Sequence, residues 1–211
     1  ESHIYVAIDL KSFYASVEAN DMGLDPMTTN LVVADASRTE KINMLAVSPS
    51  LKAYGIPEEQ GFLKLYRKSE NVNQERLDQH PGTDLQVNHA TILIKSNPSL
   101  KAAYHIAPPR MARYIEISTK IYQTYLKYFA PEDMHVYSID EIFIDITHYM
   151  KYTDVCTQAY PEDHSGYPEY SWTYCCRGNR YDLYLCKIAM DIVAKHVEPD
   201  ENGVRIAQLD E

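Results

Sequence analysis

Apolar and polar positions along the chain follow two rhythms, short continuous apolar runs and stripes that recur every three to four residues. The run Ile4-Tyr5-Val6-Ala7-Ile8 is rich in β-branched and aromatic side chains, the pattern of a buried strand that ends at Asp9. Lys11 to Ala19 then reads as the start of a helix, with Ser12 as candidate N-cap. A strand, an acid and a helix N-terminus in succession suit anion binding, because backbone N–H groups and the helix dipole point at the junction. Leu31 to Ala34 and Met44 to Val47 predict two further strands joined by a polar turn, Asp35 to Asn43. Ser48-Pro49 opens a short helix that Gly55 ends. From Arg67 to His89 the chain is polar without a clear period, which predicts a long loop.

The clearest helical stripe is Met111, Tyr114, Ile115, Ser118, Ile121, Tyr122, Tyr125 and Phe129, which predicts a helix from about Pro109 to Phe129, stopped by Pro131. His135 to Ser138 and Ile142 to Ile146 flank Ile139-Asp140-Glu141 and predict a β-hairpin that carries two carboxylates at its tip. Lys151 to Arg180 is Tyr-rich and punctuated by proline, and shows neither period. Leu185, Ile188, Ala189, Ile192 and Val193 predict a last helix over Tyr184 to His196. There is no internal repeat, and the organisation reads as alternating strands and helices with one insertion.

Composition adds limits. With 211 residues, 45% apolar and 24% charged, the chain has the make-up of an ordinary globular protein able to bury one good core or two small ones. No apolar stretch approaches membrane-spanning length and no secretory signal is present, so the expected location is the cytoplasm, with no membrane partner. Cys156, Cys175, Cys176 and Cys186 form no CxxC pair, which argues against a disulfide framework or a zinc ribbon. His89, His105, His135 and His148 are scattered and read as solvent or core positions rather than ligands. A net charge of −10 opposes nucleic-acid binding, which draws its non-specific affinity from Lys and Arg on phosphates.

The acids are the candidate chemistry. Asp9 ends one buried strand and Asp140-Glu141 sits at the tip of another, and carboxylates drawn together repel unless something positive lies between them. Magnesium takes oxygen ligands, and a pair of such ions clamps the attacking and leaving oxygens in phosphoryl transfer. The alternative is that Asp9 caps the following helix and that Asp140 and Glu141 are exposed turn residues. Asp145 lies within an alternating strand and reads as an outward-facing position.

Ile8-Asp9-Leu10-Lys11-Ser12-Phe13-Tyr14-Ala15-Ser16-Val17-Glu18 and Tyr137-Ser138-Ile139-Asp140-Glu141-Ile142-Phe143-Ile144-Asp145 resemble the two catalytic motifs of the Y-family, or translesion, DNA polymerases. The likeness is nearest to the UmuC/ImpB/MucB/SamB-like members of the Gram-positive UV-damage-repair branch. Ala46 to Ile56 resembles the family's finger segment, and Leu185 to Asp191 the helix that closes the palm. Residues 1 to 66 and 98 to 150 are covered well. The resemblance implies an α+β fold: a polymerase palm, ferredoxin-like with an antiparallel sheet and packed helices, and a small fingers insertion. Palm would comprise 1–30 and 98–211, fingers 31–97.

The same resemblance implies that Asp9, Asp140 and Glu141 bind two Mg2+ ions, with Mn2+ as a substitute, and that the Leu10 carbonyl adds a ligand. It implies Tyr14 as the steric gate against a 2′-hydroxyl, backbone N–H groups of Phe13 and Tyr14 on a triphosphate, and Lys52 and Lys187 on triphosphate oxygens. The implied partners are primer-template DNA, deoxynucleoside triphosphates and, through a C-terminal part, a sliding clamp. The sequence departs from the family at three places. Pro49-Ser50-Leu51-Lys52 stands where many members have Tyr-Glu-Ala-Arg, as in the UmuC-like branch. Residues 153 to 182 do not resemble the palm strand and glycine turn that precede the last helix. The thumb and little finger are expected beyond Glu211, so the chain is expected to be the N-terminal fragment of such an enzyme, where a basic surface elsewhere would answer the charge objection. The rival readings are a nucleotidyl cyclase, which shares paired acids but not the Phe13-Tyr14 gate, and a non-catalytic palm that binds DNA or a partner.

Overall fold

Val6, Ala7 and Ile8 are all buried because β1 (Ile4–Asp9) lies inside a sheet covered on both faces. On one face Val6 and Ile8 pack with Ile142, Ile144, Ile146, Tyr125 and Phe129. On the other, Ala7 and Phe143 pack with Cys186, Ala189, Met190 and Ala194. Alternate residues of one strand thus feed two cores, which is why the run is continuously apolar. The computed structural model describes residues 3–35, 44–55, 61–82, 84–149, 174–179, 183–198 and 205–209.

By their contacts these residues form two compact units, one of residues 1–11 with 112–211 and one of 12–111. The first unit holds a five-stranded sheet in the order β10-β9-β1-β8-β7. Its strands are β1, β7 (Met134–Val136), β8 (Glu141–Asp145), β9 (Tyr174–Asn179) and β10 (Arg205–Leu209). β1 is antiparallel to both β8 and β9, and β7 is antiparallel to β8. The β9 and β10 pair is parallel, so the sheet is mixed rather than wholly antiparallel. The hairpin foreseen around Asp140 is present: Tyr137 and Ser138 N–H groups both donate to the Glu141 carbonyl.

Several expectations need correction in this unit. α5 (Met111–Tyr125) is the foreseen helix, but Met111 and Ile115 are exposed while Ile117, outside the predicted stripe, is fully buried. The last helix begins as α6 (Leu183–Ile188) and continues as a π-helical turn (Ala189–Val193) and a 3-10 turn (Ala194–His196). The buried face runs through Cys186, Ala189, Met190 and Ala194, while Ile192, placed inward by the predicted stripe, is 63% exposed. β9, in the stretch assigned no element and expected to lack the palm strand, is a strand beside β1, and β10 was not foreseen. Residues 150–173, which include Cys156 and most of the Tyr-rich stretch, lie outside the described residues.

The second unit holds a three-stranded sheet of β3 (Ala46–Val47), β2 (Leu31–Val33) and β6 (His105–Ala107), in that order. Its core gathers Val32, Ala34, Met44, Val47, Leu51 and Leu65. Two short parallel strands, β4 (Gln86–Asn88) and β5 (Leu100–Ala102), stand apart from it. The helices are α1 (Phe13–Asp21), α2 (Pro49–Lys52), α3 (Phe62–Gln79) and α4 (Thr91–Ser96). α3 overturns the loop expected from Arg67 onward. Only Leu65 and Asn73 of its residues are buried, so it shows no broad apolar stripe, and polar bonds hold it instead. Asn73 pairs with both the N–H (2.8 Å) and the carbonyl (3.0 Å) of Ala102, as a neighbouring strand would. Arg76 donates to the carbonyls of Leu100, Ile94 and Asn97. Glu18, 2% exposed on α1, accepts a two-pronged bond from Arg110, whose guanidinium also meets Asp21. His89 and His105, read as scattered, stack with ring centroids 3.9 Å apart.

Candidate active site

The pairing of β1 with β8 sets Asp9 directly opposite Glu141. Both strands end here, so the two carboxylates stand at the sheet's rim beyond the apolar pairs Ile8–Ile142 and Ala7–Phe143. Asp191, on the π-helical turn, brings a third. Carboxylate oxygens of Asp9, Glu141 and Asp191 all lie within 4.8 Å of one another, the one such acidic or His/Cys group among the described residues. Three clustered carboxylates are hard oxygen donors, which suits a hard divalent cation such as Mg2+ or Ca2+ and not a soft one.

Asp140 is next to this group in sequence but is held by its own turn. Its carboxylate accepts a bond from Ser138 Oγ (2.7 Å), and its carbonyl accepts one from the Leu10 N–H (2.9 Å). A second hydroxyl, Ser118 on α5, donates to the Ile139 carbonyl (2.5 Å), so two serines fix the hairpin tip. A cavity of about 220 Å3 runs under the tip, lined by Ile8, Leu10, Tyr122 and Tyr125 with Asp140 and Glu141 at its polar side.

Lys187, on the last turn of α6, bonds Glu141 and lies 3.3 Å from Asp191, with its ammonium 5.3 Å from the centre of the Tyr137 ring. Burial works against its charge, but the bond to Glu141 and the charges of Glu141 and Asp191 outweigh that, and its pKa lies above the ordinary lysine value. Asp145, further along β8, is bonded rather than simply outward: it takes bonds from Thr147 and His3.

The remaining candidates sit in the second unit. Phe13, first residue of α1, buries its ring, and the Tyr14 ring beside it is half-buried. Ser12 occupies the foreseen N-cap position, but its side chain makes no capping bond. It is the one described non-glycine residue in the left-handed region, with φ 49°, and its Oγ is buried with no partner among the described residues. Such strain persists only where surrounding structure imposes it. Lys52 ends α2. Of the sequence-derived acids the structure therefore brings Asp9 and Glu141 together, and adds Asp191, which sequence reasoning missed. The available signal was its spacing four residues after Lys187, the distance of a helical ion pair.

Comparison with known proteins bears on the family and the fold. A family model described as the impB/mucB/samB family matches residues 8–195. UvrX of Bacillus subtilis (strain 168), named for UV-damage repair, is 29% identical over 191 residues, 90% of this chain and 37% of that protein. YozK of the same organism, named as a DNA repair protein homolog, is 29% identical over 136 residues, 64% of this chain and 90% of its own. A Y-family DNA polymerase chimera built on Dbh superposes with a TM-score of 0.64 at 16% identity, covering 97% of this chain and 48% of that one. A Dbh ternary complex gives 0.59 at the same identity and coverage. These structural likenesses are of fold, and the chain spans about half of those polymerases and 37% of UvrX.

Proposed function

This chain belongs to the impB/mucB/samB family and has the fold of a Y-family polymerase palm, and from that premise we propose that it is the catalytic region of a translesion DNA polymerase. The observation that carries the proposal is the in-register pairing of Asp9 with Glu141 at the rim of the sheet, with Asp191 completing a carboxylate group within 4.8 Å. On this reading Asp9, Asp140 and Glu141, with the Leu10 carbonyl, hold Mg2+ or Mn2+. Bound there, divalent cations supply charge neutralisation and Lewis-acid polarisation for nucleotidyl transfer.

The chain's own residues do the positioning. Backbone N–H groups of Phe13 and Tyr14 at the start of α1 meet the triphosphate of a deoxynucleotide, aided by Lys52 and Lys187. The Tyr14 ring excludes a 2′-hydroxyl by shape. The fingers of this reading, 31–97, lie within the second compact unit. Primer-template DNA and deoxynucleoside triphosphates are the proposed partners, and the cytoplasm the proposed location. Among the described residues no helix is long and apolar enough to cross a membrane.

The test is primer extension with Mg2+ or Mn2+, alongside calorimetry of cation-dependent nucleotide binding. Asp9→Ala and Glu141→Ala proteins, folded by circular dichroism, should lose incorporation by at least about a thousandfold, the scale on which residues acting as a unit fail together. Near-normal extension by either variant would sink the reading.

A further inference from the structure

We propose that Lys187 is an internal counter-ion of the carboxylate group, and that its ammonium and a divalent cation are alternative partners of Glu141. The proposal deepens the reading above and rests on Glu141 being a cation ligand.

The geometry that carries it is the seat of the ammonium. Nζ of Lys187 bonds Glu141 Oε1, lies 3.3 Å from Asp191 Oδ2 and faces the Tyr137 ring. Glu141 is also the carboxylate that faces Asp9 across β1 and β8. A single ammonium therefore shares its principal acceptor with the group that suits a hard cation. A divalent ion approaching Glu141 meets the like charge of Lys187 at close range. The two cations cannot both take full advantage of Glu141.

The side chain is built for exchange. Its four-carbon stem turns freely, whereas an arginine fork would lock onto the carboxylate in two-pronged fashion. Asp191 sits one helical turn on, at i+4, so an ammonium released by Glu141 keeps one partner and stays at the rim of the site. From there it can turn to an anionic ligand. Cation binding then prepares the lysine for a phosphate, and by linkage a phosphate that captures the lysine tightens cation binding by the same factor.

The experiment is a calorimetric titration of the chain with Ca2+, without nucleotide, using wild type, Lys187→Arg and Lys187→Met. Ca2+ has the right oxygen preference. The expected result is that Lys187→Met binds Ca2+ at least about fivefold more tightly than wild type, the lower end of typical coupling between sites. Lys187→Arg, which keeps the charge, should bind no more tightly than wild type. The rise in unfolding temperature on adding Ca2+ should likewise be larger for Lys187→Met. If that variant does not fold, Lys187→Gln removes the charge while keeping a donor for Glu141, and the same gain is expected. Equal or weaker Ca2+ binding by the neutral variants overturns the counter-ion proposal and leaves the carboxylate site standing. Failure of wild type and every variant to bind Ca2+ overturns both.

Discussion

At the scale of single residues, the acids divide by what surrounds them. Glu141 and Asp9 face each other at the end of two strands, while Asp145 is absorbed by its neighbours: Thr147 donates both its N–H (3.0 Å) and its hydroxyl (2.5 Å), and His3 adds a bond of 2.7 Å. Burial acts to raise the Asp145 pKa, but these bonds and the His3 charge outweigh it and hold the carboxyl below its usual value. An acid whose pKa is depressed on folding adds stability above its unfolded pKa, and that stability is lost as pH falls through the folded value. The wild-type protein should thus lose stability below about pH 4, the range of an unfolded aspartate. An Asp145→Asn protein should be less stable at neutral pH and change less between there and acid, as followed by urea unfolding at a series of pH values. Parallel pH curves for the two proteins would contradict this. Cys186 shows the opposite influence: burial pushes its thiol up to about 11, so it stays protonated at neutral pH and packs as an apolar side chain.

At the scale of elements, legibility followed the source of each element's stability. β1, β8 and α5 are held by apolar contacts, and their apolar runs were readable from the sequence. α3 is held by polar side chains against backbone edges, which leaves no hydrophobic stripe to read. The last helix was readable as a helix, but its buried face runs through Cys186, Met190 and Ala194, small or flexible side chains outside the predicted stripe, and leaves Ile192 outside. The site divided likewise. Asp9 and Glu141 were legible because their motifs sit on regular strands, whereas Asp191 joins them only through the packing of the last helix against the sheet. α3 yields a direct test. Replacing Asn73 with Ala leaves the buried N–H of Ala102 without its partner and its carbonyl with only the Ser69 hydroxyl, at a cost of about 1–3 kcal/mol. Urea unfolding should show that loss, and an Asn73→Ala protein as stable as wild type would mean that α3 is held by its apolar anchors, Leu65 and Phe62.

At the scale of the whole molecule, charge sets the expectation. A net charge of −10 leaves few phosphate contacts to these 211 residues, so affinity for primer-template DNA should be weak and fall steeply with salt. Fluorescence anisotropy at two salt concentrations checks it. Tight, salt-resistant binding by residues 1–211 would show that the chain carries a basic DNA-binding surface despite its net charge.

The place of β1 at the centre of its sheet also governs how the chain is made. β1 leaves the ribosome ahead of everything it pairs with: Glu141 follows Asp9 by about 130 residues, and Tyr174–Asn179 come later still. At ordinary rates of synthesis that is a wait of roughly ten seconds or more, during which Ile4 to Ile8 present an unpaired apolar strand. Residues 12–111, in contrast, form a continuous unit whose partners all appear in that interval. The nascent chain therefore passes through a stage in which residues 12–111 have all their partners while the strand that ends at Asp9 has none of its own, the kind of unpaired apolar edge that is prone to aggregation.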